Sequence, residues 1–149
     1  MSYKTVVVAV DLSAESQKIL DAAIDLFQDK AEILHIVHGI EPVSMAYVHE
    51  AQVHAIPDLQ AQLESIAERK LVDLGATVDV PHKILRVLQG SPSTSICEYA
   101  ANINADLIVL GSHGRAGWRV ILGSTANSVV QRAGCDVLTI RVDKPEASE

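Results

Sequence analysis

The chain has 149 residues, of which 48% are hydrophobic and 21% are charged, and its formal net charge is −7. This length suits one domain with a sizeable core, and the acidic balance argues against a general nucleic-acid binder, whose surface would be basic over a whole face. No apolar run approaches the ~18 residues of a membrane span, and no long signal-peptide hydrophobic region is present, so we predict a cytoplasmic protein without membrane insertion.

The first part of the chain predicts two strands with a helix between them. Residues 6–10 are a β-branched run without alternation, which is typical of a strand buried on both faces of a sheet. Ser13 stands where it can cap a helix whose apolar face extends to about residue 28. Residues 31–37 repeat the strand pattern. Residues 38–57 show neither a helical nor a strand period in their apolar residues and predict a long and mobile connection.

The remaining elements continue the alternation. Residues 58–74 give the clearest helical pattern, and Gly75 is placed to end that helix. A strand over 83–88 precedes a helix that begins with Ser91 as N-cap and Pro92 at the first helical position. The last elements are a strand over 106–110, a helix over about 123–132, a strand over 136–142 and a frayed tail over 143–149.

Five strands that alternate with four helices predict an α/β fold, a single doubly wound parallel sheet of the Rossmann-like type with helices on both faces. The expected strand order is 3-2-1-4-5, with all 149 residues in one domain. Ligands of such sheets bind at the carboxyl ends of strands near the point where the strand order reverses. Asp11 and the Gly111 loop both lie there if strands one and four are neighbours.

The strongest functional signal lies between residues 107 and 135. An apolar run is followed by glycines and hydroxyl residues at the start of a predicted helix, namely Gly111, Gly114, Gly123, Ser124 and Thr125. Glycines beside a helix N-terminus let backbone N–H groups approach an anion, and hydroxyl groups add donors. The stretch contains three arginines and no Asp or Glu, which favours phosphate binding, although a solvated helix face would also allow such a charge pattern.

Other site classes lack their residues in this sequence. There is no GxGxxG after strand one and no P-loop, and strand three ends in Leu88 and Gln89 rather than in the Asp of a phosphotransfer domain. No His or Cys spacing indicates zinc, and we interpret Cys97 and Cys135 as buried small hydrophobes. His35 and His38 are interpreted as structural histidines, and no base and orienting acid for covalent catalysis are recognisable.

These residues together resemble the universal stress protein family, specifically its single-domain UspA-like members with an adenine nucleotide alpha hydrolase-like fold. The similarity is carried by AVDLS at the end of strand one, LHIV in strand two, DLIVLGSHG in strand four, the GST region and the CDVLTIR ending. The nucleotide-binding branch of that family has GxxG, about nine residues and then G[ST]. Here eight residues separate the GxxG glycines from Gly123, one fewer than the family pattern.

The resemblance implies an ATP site, with Mg²⁺ or Mn²⁺ as companion ion and with ADP or AMP as alternative ligands. It implies adenine, ribose and phosphate contacts for ten residues, namely Ala9, Val10, Asp11, Ile36, Leu110, Gly111, Gly114, Gly123, Ser124 and Thr125. It also implies a stress-response homodimer that pairs through strand five and acts on an unidentified protein partner. That apolar edge strand would otherwise invite uncontrolled pairing.

Three alternatives remain open at this point. Asp11 could cap helix one instead of contacting a ligand. The short spacer supports a dimer that binds no nucleotide and works only through protein interaction. Slow ATP hydrolysis or nucleotide transfer rests on Asp11 with a metal ion and nothing more, so we expect binding rather than enzymatic activity.

Overall fold

The computed structural model describes residues 3–27, 31–43, 54–114 and 122–143. Its strands are β1 (Thr5–Ala9), β2 (Ile33–Ile40), β3 (Lys83–Gln89), β4 (Leu107–Gly114) and β5 (Asp136–Asp143), and its helices are α1 (Ser16–Phe27), α2 (Ile56–Ala76), α3 (Pro92–Asn102) and α4 (Ser124–Arg132). The strands form one parallel sheet in the order β3-β2-β1-β4-β5. The predicted fold class and strand order are therefore confirmed.

The sheet is buried on both faces, which explains why its strands read as continuous apolar runs. Alternate side chains of β1 enter different clusters: Val6 and Val8 pack with α1 and α2, whereas Val7 and Ala9 pack with α3 and α4. The same division holds for β4. Because successive side chains of a strand point to opposite faces, α1 with α2 and α3 with α4 form the two outer layers.

Strand β4 is longer than its sequence predicts. The sequence predicts that it ends before Gly111, but the ladder with β5 continues from Leu107 through Gly114. Gly111 is paired with Ile140 there, and its approach to the helix layer is close, since a Cβ atom would lie 2.4 Å from Cδ1 of Ile19. The prediction of a loop at Gly111 is wrong because this glycine meets a packing requirement of α1 rather than a turn requirement.

Helix α2 does not end at Gly75. The helix continues to Ala76, and Thr77 is its C-cap. Gly75 is buried, and a Cβ atom on it would lie 2.9 Å from both δ-carbons of Leu85 on β3. From the sequence alone, a glycine that lets a strand pack closely against a helix cannot be told from a glycine that ends the helix. The predicted boundary is wrong for this reason.

The helix starts fit the predicted positions in part. Ser91 is the N-cap residue of α3 and its carbonyl accepts from the Ser95 amide at 2.9 Å, but its side chain makes no capping hydrogen bond. Helix α1 begins at Ser16, later than expected, after a turn in which Oγ of Ser13 accepts from the Glu15 amide at 3.3 Å. Of the predicted long connection, residues 44–53 lie outside the described residues, as do 144–149 of the tail.

Candidate functional site

A cavity of about 280 Å³ opens at the carboxyl ends of the central strands. Strand β1 lies between β2 and β4, and the cavity is bounded by the ends of these three strands and by the first turns of α3 and α4. This is the point at which the strand order reverses, where open α/β sheets bind ligands. The volume is near the lower limit of ordinary small-molecule pockets.

Eight of the ten residues implied by the sequence line this cavity. They are Ala9, Val10, Asp11, Leu110, Gly111, Gly123, Ser124 and Thr125. They come from positions as far apart in the chain as the end of β1 and the start of α4, so it is the sheet topology that gathers them. The structure thus brings together the two halves of the glycine motif that it describes.

The other two residues are not among the described lining residues. The resemblance implies a backbone contact for Ile36, whose side chain is fully buried in the cluster beneath α1 and α2, and on β2 the described lining residues are His38 and Gly39. Gly114 is the last residue of β4, in register with Asp143, and it is not among the described lining residues. Arg115 and Arg119, two of the three arginines between residues 107 and 135, lie outside the described residues.

Asp11 lines the cavity and also organises the turn into α1. Its Oδ1 accepts from the Ser13 amide at 2.9 Å and from Oγ of Ser16 at 3.1 Å, and Ser16 is buried. The intervening Leu12 has a φ of 62°, in the left-handed region that non-glycine residues rarely adopt. One carboxylate oxygen of Asp11 therefore holds the turn that precedes α1, and the same exposed side chain lines the cavity.

Helix α4 points its N-terminus at the cavity. Gly123 is its N-cap residue, and Gly123, Ser124, Thr125 and Ala126 all line the cavity wall. No side chain caps this end within the described residues, and the first turn contains no acid. The first amides of a helix have no intrahelical acceptor and carry a partial positive charge, so this end can bind an anion.

Much of the cavity wall is apolar. Ile19 of α1, Ile96 of α3 and Leu110 of β4 contribute side chains that are otherwise buried. A slot of aliphatic side chains next to a helix N-terminus suits a ligand with one flat apolar part and one anionic part. Within the described ranges there is no group of three His, Cys, Asp or Glu side chains arranged to hold a metal ion.

His38 and Gly39 are lining residues that sequence reasoning missed. Nδ1 of His38 lies 2.8 Å from the carbonyl oxygen of Val10, just where β1 ends. Gly39 packs against the start of α3 so closely that a Cβ atom would lie 2.9 Å from Cα of Pro92. Their adjacency at the end of a predicted strand was the available signal, since parallel strands end at one common edge.

His35, two residues earlier on β2, is structural as expected. It is buried on the α3 face, with Nδ1 2.8 Å from the hydroxyl oxygen of Tyr99. Burial, together with the charge of Arg86, lowers the pKa of His35. Cys97 and Cys135 are free, and they are half-buried rather than buried as predicted, although burial still raises the pKa of both thiols.

Comparison with known proteins shows that nearly the whole chain is similar to one protein family. The family model described as "Universal stress protein family" matches residues 2–141. The chain is 37% identical over 140 residues to universal stress protein A homolog 1 of Coxiella burnetii, covering 94% of this chain and 97% of that protein.

Solved structures are similar over nearly the whole chain. Universal stress protein UspA from Lactobacillus plantarum is 26% identical, with a TM-score of 0.72 and coverage of 95% of this chain and 99% of that one. A universal stress protein solved in complex with cAMP is 25% identical, with a TM-score of 0.66 and coverage of 95% and 98%. None of the helices that the structure describes is long and apolar enough to cross a membrane.

Proposed function

The chain belongs to the universal stress protein family, and from that premise we propose that it binds ATP, or another adenine nucleotide, at the carboxyl ends of β1 and β4 and acts as a regulatory dimer in a stress response. The observation that carries the proposal is the convergence of eight implied contact residues on one cavity. The complex of a similar universal stress protein with cAMP supports an adenine nucleotide as the ligand class.

The phosphates are assigned to the α4 side of the cavity. Gly123, Ser124 and Thr125 offer backbone amides and two hydroxyl groups there, and no acid of the first turn opposes an anion. No atom of the residues that the structure describes lies within 4 Å of the position of a Cβ atom at Gly123, so these residues leave room for a phosphate oxygen to approach the backbone. The chain's formal net charge of −7 makes such a local anion site a specific feature rather than a general attraction.

The base and ribose are assigned to the apolar slot and to Asp11. On the β2 side the cavity is lined by His38 and Gly39, and two strand spacings separate β2 from β4, about 10 Å. A nucleotide can therefore lie across the end of β1 with its base at β2 and its phosphates at α4. Asp11, at the end of β1, would accept from a ribose hydroxyl or support a divalent ion.

Calorimetric titration with Mg-ATP tests the proposal directly, after bound nucleotide has been removed by denaturation and identified by mass spectrometry. We expect ATP to co-purify or to rebind with measurable heat and a raised thermal midpoint. Neither heat nor a thermal shift at about millimolar ATP, where binding weaker than about −4 kcal/mol would be missed, would reject nucleotide binding. The result would favour a dimer that acts only through protein interaction.

Two variants separate the carboxylate of Asp11 from the turn that it stabilises. Asp11→Ala removes both, and we expect it to weaken ATP binding about tenfold or more, because hydrogen bonds to charged groups are the strong ones. Ser16→Ala removes one bond of the turn, the 3.1 Å contact with Oδ1, but leaves the carboxylate in place. Equal losses of affinity in the two variants would assign Asp11 to the turn alone.

The dimer is assigned to β5, an edge strand of the sheet. Its residues 137–140 are only half-buried although they are apolar or small, and one side of its backbone has no neighbouring strand in the described chain. Antiparallel pairing with the β5 strand of a second copy would satisfy that edge. Light scattering at tens of micromolar should give the mass of a dimer, and a monomer mass would reject this part of the proposal.

A further inference from the structure

A second feature of the cavity concerns the recognition of the base. His38 lines the cavity described above, and it also lines an adjoining cavity of about 310 Å³ between β2 and α2. Asp11, His38 and Gly39 are common to both cavities, so these three residues form their junction. The junction lies at the β2 end of the site, where the edge of a bound base would point.

The contact with Val10 determines the tautomer of His38. A carbonyl oxygen only accepts hydrogen bonds, so the 2.8 Å contact requires that Nδ1 carries a hydrogen and donates it. In the neutral imidazole the other nitrogen, Nε2, is then an acceptor. The backbone of β1 therefore decides which hydrogen-bonding character His38 presents on its far side.

Nε2 is available to a ligand. Among the residues that the structure describes it has no hydrogen-bond partner. In that part of the chain, only an oxygen of Glu15 is both buried and without a hydrogen-bond partner. Because Nε2 of His38 also has no partner, it is not buried and is accessible to solvent. The half-buried ring thus presents an unpaired acceptor at the junction of the two cavities.

We propose that His38 sets the base preference of the site, because its Nε2 accepts a hydrogen bond from the 6-amino group of adenine and opposes the 6-oxo group of other purines. The proposal rests on the proposed nucleotide site. A 6-amino group donates, whereas a 6-oxo group only accepts, and two facing acceptors leave both unpaired. A site built to pair with a donor discriminates against an analogue that lacks it.

The test compares ATP with inosine triphosphate, in which a 6-oxo group replaces the 6-amino group and N1 carries a hydrogen. We expect the protein to bind ATP about tenfold more tightly, as one lost hydrogen bond between partly desolvated groups implies. In His38→Asn the side-chain amide can still donate to Val10 in place of Nδ1, but no atom replaces Nε2. We expect this variant to bind the two nucleotides with affinities within about threefold of each other.

His82→Asn is the matched control. His82 is an exposed histidine that precedes β3, at the amino-terminal edge of the sheet and away from the site, and its backbone contact with Leu34 survives the substitution. This variant should keep the wild-type ratio of affinities. Thermal midpoints of all variants without nucleotide establish that each is folded.

Three results would overturn the inference. Equal affinity of the wild-type protein for both nucleotides would show that the site does not distinguish position 6. An unchanged ratio in His38→Asn, even with weaker binding of both nucleotides, would leave His38 a purely structural role. Failure of the wild-type protein to bind either nucleotide would instead reject the proposed function, and the inference with it.

Discussion

Substitution of Gly111 by Ala should destabilise the protein although the backbone there does not require glycine. Its φ is not in the left-handed region, but a Cβ atom would lie 2.4 Å from Cδ1 and 3.2 Å from Cγ1 of Ile19, and 3.4 Å from Cγ2 of Val142. Ile19 is almost fully buried and has little room to move. Overpacking of this kind typically costs about 1–3 kcal/mol of unfolding free energy.

Chemical denaturation gives that free energy, and for a chain of 149 residues each kcal/mol should also lower the thermal midpoint by about 2–4 °C. Gly134→Ala is the control, because no atom in the described part of the chain lies within 4 Å of its added Cβ atom and its φ is likewise not positive. It should leave stability unchanged or raise it by about 0.4–1 kcal/mol, since alanine restricts the unfolded chain.

A second substitution identifies the clash itself. Ile19→Val removes Cδ1, the atom nearest to the added methyl group. In the wild-type background it should cost about 0.5–1.5 kcal/mol, but together with Gly111→Ala it should cost less or restore stability. Strictly additive losses, or a Gly111→Ala protein as stable as the wild type, would refute the packing explanation of this glycine.

Three further predictions concern stability. Burial and the charge of Arg86 lower the pKa of His35 in the folded protein, so the unfolded chain binds a proton at this histidine at a higher pH than the folded protein does. The free energy of unfolding should therefore fall as the pH is lowered from about 7 towards about 5. Urea titrations should show a smaller decrease for His35→Gln. Backbone amides of Thr5 and Lys4 donate to Asp106 and lower its pKa, so this carboxylate stabilises the fold above its unfolded pKa and ceases to do so in acid. Asp106→Asn should lower the thermal midpoint at neutral pH and make the midpoint less dependent on pH in acid. Leu71→Ala, at a residue 2% exposed, should cost about 2–5 kcal/mol in denaturant titrations, whereas Leu63→Ala, at 40% exposure, should stay within about 0.5 kcal/mol, and similar costs would contradict the placement of α2.

Much of the fold could be predicted because its pattern is local. The apolar runs of β1 and β2 have no alternation, and that absence already indicates strands covered on both faces. Strand order follows from the family resemblance, and the meeting of Asp11 with Gly111 follows from the general property that carboxyl ends of neighbouring parallel strands share an edge.

Boundaries at glycine could not be predicted, because glycine serves two purposes that look the same in a sequence. Gly75 leaves space for the side chain of Leu85, and Gly111 leaves space for that of Ile19; neither glycine forms a turn. The apolar face of α2 shows a similar limit: Ala67 and Leu71 are buried, but Leu63, one turn before Ala67 on the same face, is exposed. Periodicity predicts which residues share a helix face, but not how much of that face the neighbouring layer covers.

The sequence by itself determined the α/β class, the alternation of strands and helices, and most residues of the candidate site, since these follow from local periodicity and from the family motif. The tertiary structure alone decided that Ile36 is buried beneath α1 and α2 while His38 reaches the cavity wall. It also decided that Val10 fixes the hydrogen on His38, a contact across 28 positions of the chain. Such contacts depend on where two elements pack, and no short-range pattern records the distance between atoms that only folding brings together.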